Sequence, residues 1–112
     1  MSGWAEKRIY QRVSFLCRVD LTADDGATIE ASTVDISLGG AGVVSSRFVA
    51  EGRAVTLAFH LRDRAGAPAV ERIDGAVAHA RADVDGHTLG IEFLAPIQKA
   101  SNPLLTRIVE RL

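Results

Sequence analysis

Val55-Thr56-Leu57-Ala58-Phe59-His60-Leu61-Arg62 sets an apolar side chain at every odd position and, Ala58 apart, a polar one at every even position. Side chains on a strand point to opposite faces in turn, so this spacing predicts a β-strand with one face in a core and one in solvent. A helix would scatter the same four apolar residues around its axis. The strand needs partners, because a lone strand cannot bury its apolar face or satisfy its backbone.

Working outward, the same period recurs. Downstream, the chain turns from Asp63 to Pro68 and runs as a strand from Val70 to about Arg81, with a kink expected at Gly75. Asp85-Gly86 then makes a hairpin turn into a strand carrying Leu89, Ile91 and Phe93. Upstream, a loop from Ser46 to Gly52 follows a short strand from Ala41 to Ser45, and a longer strand is expected from about Thr28 to Ser37. Asp24-Asp25-Gly26 is the turn before it, and Val13, Phe15, Cys17, Val19 and Leu21 form the inward face of the first strand. Six short strands joined by short links predict a six-stranded antiparallel β-barrel, since closure leaves no edge exposed. The last stretch changes period. Asn102 is the expected N-cap and Pro103 the first helical residue, with Leu104, Leu105, Ile108, Val109 and Leu112 on one side of a helix over about 102–112. Residues 1–12 show no period and predict a flexible arm on a single domain spanning 13–112.

Composition narrows the function. With 13 basic and 14 acidic residues the formal net charge is −1, which argues against a broad nucleic-acid-binding face. Only six aromatics occur, and Phe15, Phe59 and Phe93 fall on core faces, so the stacking platform of a single-strand binder is missing. No apolar run approaches the ~20 residues of a membrane span, and the N-terminus lacks the pattern of a signal peptide, so a soluble, cytoplasmic protein without a membrane partner is expected. Cys17, the one cysteine, sits in the alternating pattern as a buried thiol. His60 and His87 have no ligand spacing to each other or to carboxylates, so no metal or other cofactor is expected. No nucleophile and base are joined by a recognisable motif, and there is no phosphate loop. The sequence therefore reads as non-enzymatic. Charge is nevertheless uneven: Lys7, Arg8, Arg12 and Arg18 face only Glu6 in the first eighteen residues, a local trap for a small anion.

Two pieces of sequence give that trap a partner. Asp35-Ile36-Ser37-Leu38-Gly39-Gly40 ends the second strand, and strict alternation puts Asp35 and Ser37 on one face with Val34, Ile36 and Leu38 on the other. The glycines then allow a bend or a close approach by a ligand. Some twenty residues earlier lies Arg8-Ile9-Tyr10-Gln11-Arg12. The spacing of four is weak alone, since Arg107 and Arg111 repeat it on a helix where solvated surface charge explains it. Arg-x-x-x-Arg followed at this distance by Asp-x-Ser-x-x-Gly, and later by Gly90-Ile91-Glu92-Phe93, resembles the PilZ domain, the bacterial receptor module for cyclic di-GMP. The resemblance runs from about Glu6 to the C-terminal helix.

The resemblance implies a split barrel and a ligand site made by Arg8, Arg12, Asp35, Ser37 and Gly40, with Lys7, Gly39, His79 and Gly90 as further contacts. Lys7 stands where the family's variable residue influences whether one ligand or a stacked pair is held. The chemistry agrees. A guanidinium can fork onto phosphate oxygens or the O6 and N7 edge of guanine, and can also stack on a base. A carboxylate such as Asp35 can accept from the N1 and N2 hydrogens of guanine. In an empty site Asp35 is expected to pair with Arg8 or Arg12 until ligand replaces that contact, whereupon the arm orders and an unidentified downstream protein reads the new surface, in processes such as motility or biofilm control. The alternative is an adaptor of the same family that docks on protein without binding nucleotide. Monomer and homodimer both remain open.

Overall fold

The computed structural model describes residues 11–84 and 86–110. Among the described residues there are seven strands: β1 (Val13–Ser14), β2 (Arg18–Ala23), β3 (Thr28–Ile36), β4 (Gly40–Ser45), β5 (Ala54–Arg62), β6 (Pro68–Asp83) and β7 (Gly86–Phe93). A helix, α1 (Pro103–Val109), follows them. All pairings are antiparallel, and β3–β2–β5–β6–β7–β4 closes on itself through a β3–β4 pairing. The expected six-stranded barrel is therefore present. The expected first strand is interrupted: β1 and β2 are two pieces lying along the same edge of β3.

The interruption has a physical cause. Ser14 pairs with Asp35 and Arg18 with Ser32, so four residue steps on one side face three on the other. The extra residue opens the ladder. Thr33, fully buried, fills the gap, its hydroxyl donating to the Phe15 carbonyl at 2.6 Å and accepting the Cys17 N–H at 2.9 Å. Burial pushes the Cys17 thiol up from its ordinary pKa, with the Thr33 hydrogen bond a smaller opposing effect.

The alternation in Val55–Arg62 holds. Val55, Leu57, Phe59 and Leu61 are buried, and they join Leu21, Ile36, Leu89 and Ile91 inside the barrel. Full burial of each such side chain contributes roughly 1.5–3 kcal/mol. β6 is not kinked where Gly75 led us to expect it. Pairing is continuous through Gly75 on both edges, and the register shift falls between Val77 and His79. Gly75 answers to a close approach instead, since a Cβ there would lie 2.6 Å from the Glu92 carbonyl oxygen. The hairpin into β7 includes Gly86 at φ +130°, while Asp85 lies outside the described residues.

α1 closes the barrel through Leu105 and Val109, both buried. Asn102 is the N-cap and Pro103 the first helical residue, as expected, but the bonds that cap the first turn come from elsewhere. The Asn102 side chain donates to the Arg72 carbonyl and makes no cap bond, whereas the Glu71 carboxylate on β6 accepts the Leu104 and Leu105 N–H groups at 2.9 and 3.0 Å. The orphan donors of the first turn are thus satisfied from the barrel wall, which fastens the helix to β6. Among the described residues no helix is long and apolar enough to cross a membrane.

Candidate functional site

Two register shifts shape one part of the outer wall. The first lies on β3 between Thr33 and Asp35, where Val34 is the extra residue opposite β4. It breaks the strict alternation. Thr33 and Ile36 face the core, while Val34 is 44 % exposed and Asp35 half-buried, so both consecutive side chains turn outward. The expectation that Val34 lies inward is thereby corrected. The second shift, on β6 between Val77 and His79, re-aims His79 in the same way three strands away.

Between these bulges the ladder aligns four residues in one row. Asp35 pairs with Gly42, Gly42 with Gly90, and Gly90 with His79, across β3, β4, β7 and β6. The middle two carry no side chain, so the row is a bare backbone floor with a carboxylate at one end and an imidazole at the other. The flanking groups stand close over it. A Cβ on Gly42 would lie 2.9 Å from Asp35 Oδ1, and one on Gly90 would lie 3.0 Å from the His79 ring. A shallow groove of about 420 Å³ covers this floor, and Arg12, Val34 and Arg81 also line it.

Arg12 reaches Asp35. Its Nη1 donates to Asp35 Oδ1 at 2.8 Å, and the Gly42 N–H donates to the same oxygen at 3.0 Å. The expected arginine–aspartate pair is therefore present. Both side chains are 35 % exposed, and an exposed pair of this kind is worth about 0.2–1 kcal/mol, little enough for a ligand to displace. Lys7 and Arg8 lie outside the described residues.

Ser37, Gly39 and Gly40 take a different place from Asp35. Ser37 is 1 % exposed, so it does not share Asp35's outward face as alternation led us to expect. Its N–H donates to the Gly40 carbonyl at 2.8 Å, and its Oγ accepts the Gly39 N–H at 3.2 Å. Phe93 N–H donates to the Gly39 carbonyl and Ile97 N–H to that of Leu38, so the end of β7 and the segment after it lock the turn. Gly40 is buried where a Cβ would collide with the Ile91 carbonyl oxygen. These residues form the hinge pin from which β4 starts, and so set where Gly42 falls.

The structure thus brings Arg12, Asp35, His79 and Gly90 together. Sequence reasoning missed Gly42, Val34 and Arg81. Gly42 was visible only as one glycine of a cluster, and its place opposite both Asp35 and Gly90 depends on the β3 bulge. Among the described residues no group of His, Cys, Asp and Glu is arranged to hold a metal ion.

A family model described as the PilZ domain matches residues 6–111. No curated protein matches. Among solved structures, the Bacillus subtilis inhibitor of motility (MotI/DgrA) superposes with a TM-score of 0.72 at 18 % identity, covering 91 % of this chain and 49 % of that one. This chain therefore spans about half the length of that protein. The PilZ domain of YcgR from Escherichia coli, solved with c-di-GMP, gives a TM-score of 0.64 at 20 % identity, covering 92 % and 88 % of the two chains. The PilZ domain of CeSA from a cellulose-synthesizing bacterium gives 0.61 at 20 % identity, covering 88 % and 94 %.

Proposed function

Since the chain belongs to the PilZ domain family, we propose that it is a non-enzymatic receptor for cyclic di-GMP, which it binds on the outer wall over Asp35, Gly42, Gly90 and His79. The observation that carries this reading is the glycine floor with Arg12 already resting on the Asp35 carboxylate. A flat purine can approach a strip without side chains more closely than any other part of a barrel wall. Asp35 at its edge accepts from guanine N1 and N2, and the His79 ring offers a face at the other end.

Arg12 and Arg8 supply the guanidinium groups. Arg12 leaves Asp35 for phosphate or for the O6 and N7 edge of guanine, and Asp35 is released to the base at the same moment. Ser37, Gly39 and Gly40 act through the turn that positions this strand end, and direct contact by Ser37 requires its hydroxyl to leave that turn. Ordering the arm costs about 1–2 kcal/mol per residue of backbone, which its ligand contacts must exceed. The ordered arm then presents a surface that a partner protein reads through its different affinity for the two states. Lys7, beside the first arginine, adds positive charge that favours a stacked pair of ligands.

Calorimetric titration with cyclic di-GMP tests the reading. Saturable binding by the wild type, lost in Arg12→Ala and in Asp35→Ala and absent with GTP, is the expected result, with the stoichiometry giving one ligand or two. A folded wild type that takes up no cyclic di-GMP overturns it and leaves a protein-docking adaptor as the account of the fold.

A further inference from the structure

A second row lies beside the glycine floor on the same outer wall. Ser32 pairs with Val44, Val44 with Thr88, and Thr88 with Arg81, across the same four strands. Two residues along each central strand separate the rows, which is about 7 Å. Arg81 is thus diagonal to Arg12. Arg12 stands over the β3 end of the floor and Arg81 over the β6 end, three strand spacings or about 14 Å apart along the sheet, and both line the one groove. A guanidinium on its three-carbon stem reaches several ångströms, so the two cover the floor from opposite sides.

The present contact of Arg81 is a weak one. Its Nε lies 3.5 Å from Asp83 Oδ1, and its side chain is 74 % exposed. Asp83 is engaged more tightly elsewhere, since the Thr88 hydroxyl donates to its other oxygen at 2.6 Å. That bond, with Arg81 adding to it, holds the Asp83 carboxyl below the usual carboxylate range. Asp83 therefore fixes Thr88 and leaves Arg81 a long, solvated ion pair that a phosphate can replace at little cost.

We infer that Arg81 is a second anion-holding side chain of this site, placed opposite Arg12 so that a ligand with two separated phosphodiesters is favoured over one with a single phosphate. This rests on the receptor reading above and adds a residue outside both arginine and aspartate motifs. A ring with two phosphodiesters presents negative charge to both ends of the floor, whereas a mononucleotide can satisfy only one. Arg81 then contributes to discrimination as well as to affinity.

The test compares wild type, Arg81→Ala, Arg81→Lys, Arg12→Ala and the remote turn variant Arg64→Ala. Affinities for cyclic di-GMP and GMP are measured at 50 and 200 mM salt, with thermal unfolding as the check on folding. Arg81→Ala is expected to weaken cyclic di-GMP binding about tenfold and GMP binding much less, and to flatten the salt dependence. Arg81→Lys should recover part of the loss, and Arg64→Ala should match the wild type. Equal cyclic di-GMP affinity and salt dependence in wild type and Arg81→Ala, with Arg12→Ala still deficient, overturns the role of Arg81 and spares the receptor reading. Equal losses for both ligands overturn the discrimination. A folded wild type that binds neither ligand overturns both.

Discussion

The two halves of this barrel are built to different rules. Where β2, β5 and β6 pair, the register runs without a shift, through Val19–Ala23 against Val55–Phe59 and through Ala54–Arg62 against Pro68–Ala76. Their outer wall is covered with side chains in rows such as Thr22, Thr56 and Asp74, or Asp20, Ala58 and Arg72. Where β3, β4, β7 and β6 pair, two bulges interrupt the ladder and glycines replace the central side chains. Regular pairing closes the core and shields the wall. Irregular pairing spends some of that regularity to turn Asp35 and His79 outward and bare the backbone between them. Stability and recognition are thus divided between halves that share one core, and substitutions can separate them.

The largest effect on stability should come from the regular half. Phe59→Ala removes a fully buried ring on β5 and is expected to cost about 3–5 kcal/mol in chemical denaturation, while the fraction still folded binds ligand as before. Gly90→Val should reverse this pattern. The nearest neighbours of its Cβ all belong to the His79 side chain and none to the backbone, so unfolding should shift by no more than about 1 kcal/mol, yet cyclic di-GMP affinity should fall more than tenfold. A loss of stability as large as that of Phe59→Ala would erase the division.

Glu71→Ala tests a joint outside both halves. Removing the carboxylate that accepts from Leu104 and Leu105 should cost about 1–2 kcal/mol in urea unfolding, the range of a lost helix cap. Asn102→Ala should cost less, because its side chain makes no cap bond. The smallest effect belongs to the surface of the regular half. The hydrogen bond from His60 Nε2 to Asp20 Oδ2, 2.8 Å long, is the main cause holding the Asp20 carboxyl below its ordinary pKa. With the folded value the lower one, that stability is complete above the unfolded pKa and is lost as pH falls through the folded value. The urea midpoint of Asp20→Asn should therefore sit slightly below that of wild type at pH 6, with the gap beginning to close as pH falls below about 4 and vanishing once pH is below the depressed folded value. A gap that persists in acid would show that the pair is not its source.

The regular half was the legible one. Val55, Leu57, Phe59 and Leu61 announce their burial by period alone, and Asp24-Asp25-Gly26 announces its turn. The site half was legible in its residue types and not in its geometry. Alternation is a property of one strand, whereas a bulge is a mismatch between two, so nothing in Asp35–Gly40 shows that Val34 is the extra residue or that Ser37 turns inward. Gly42 gains its role from two neighbours across the sheet. At α1 the residue types of Asn102 and Pro103 mark the helix start, but the part of Glu71 does not show in sequence for the same reason, since Glu71 and Leu104 meet only once β6 and the helix are in place.

The central claim is that ligand sits on the glycine floor of the irregular half and the row beside it. Titration of isotope-labelled protein with cyclic di-GMP, followed by amide proton–nitrogen correlation spectra, tests it residue by residue. The account predicts large shifts at Gly42, Gly90, Thr88 and His79 and none at Thr56, Ala58 and Arg72. Shifts confined to the β2–β5–β6 wall, or spectra unchanged at saturating ligand, would contradict it.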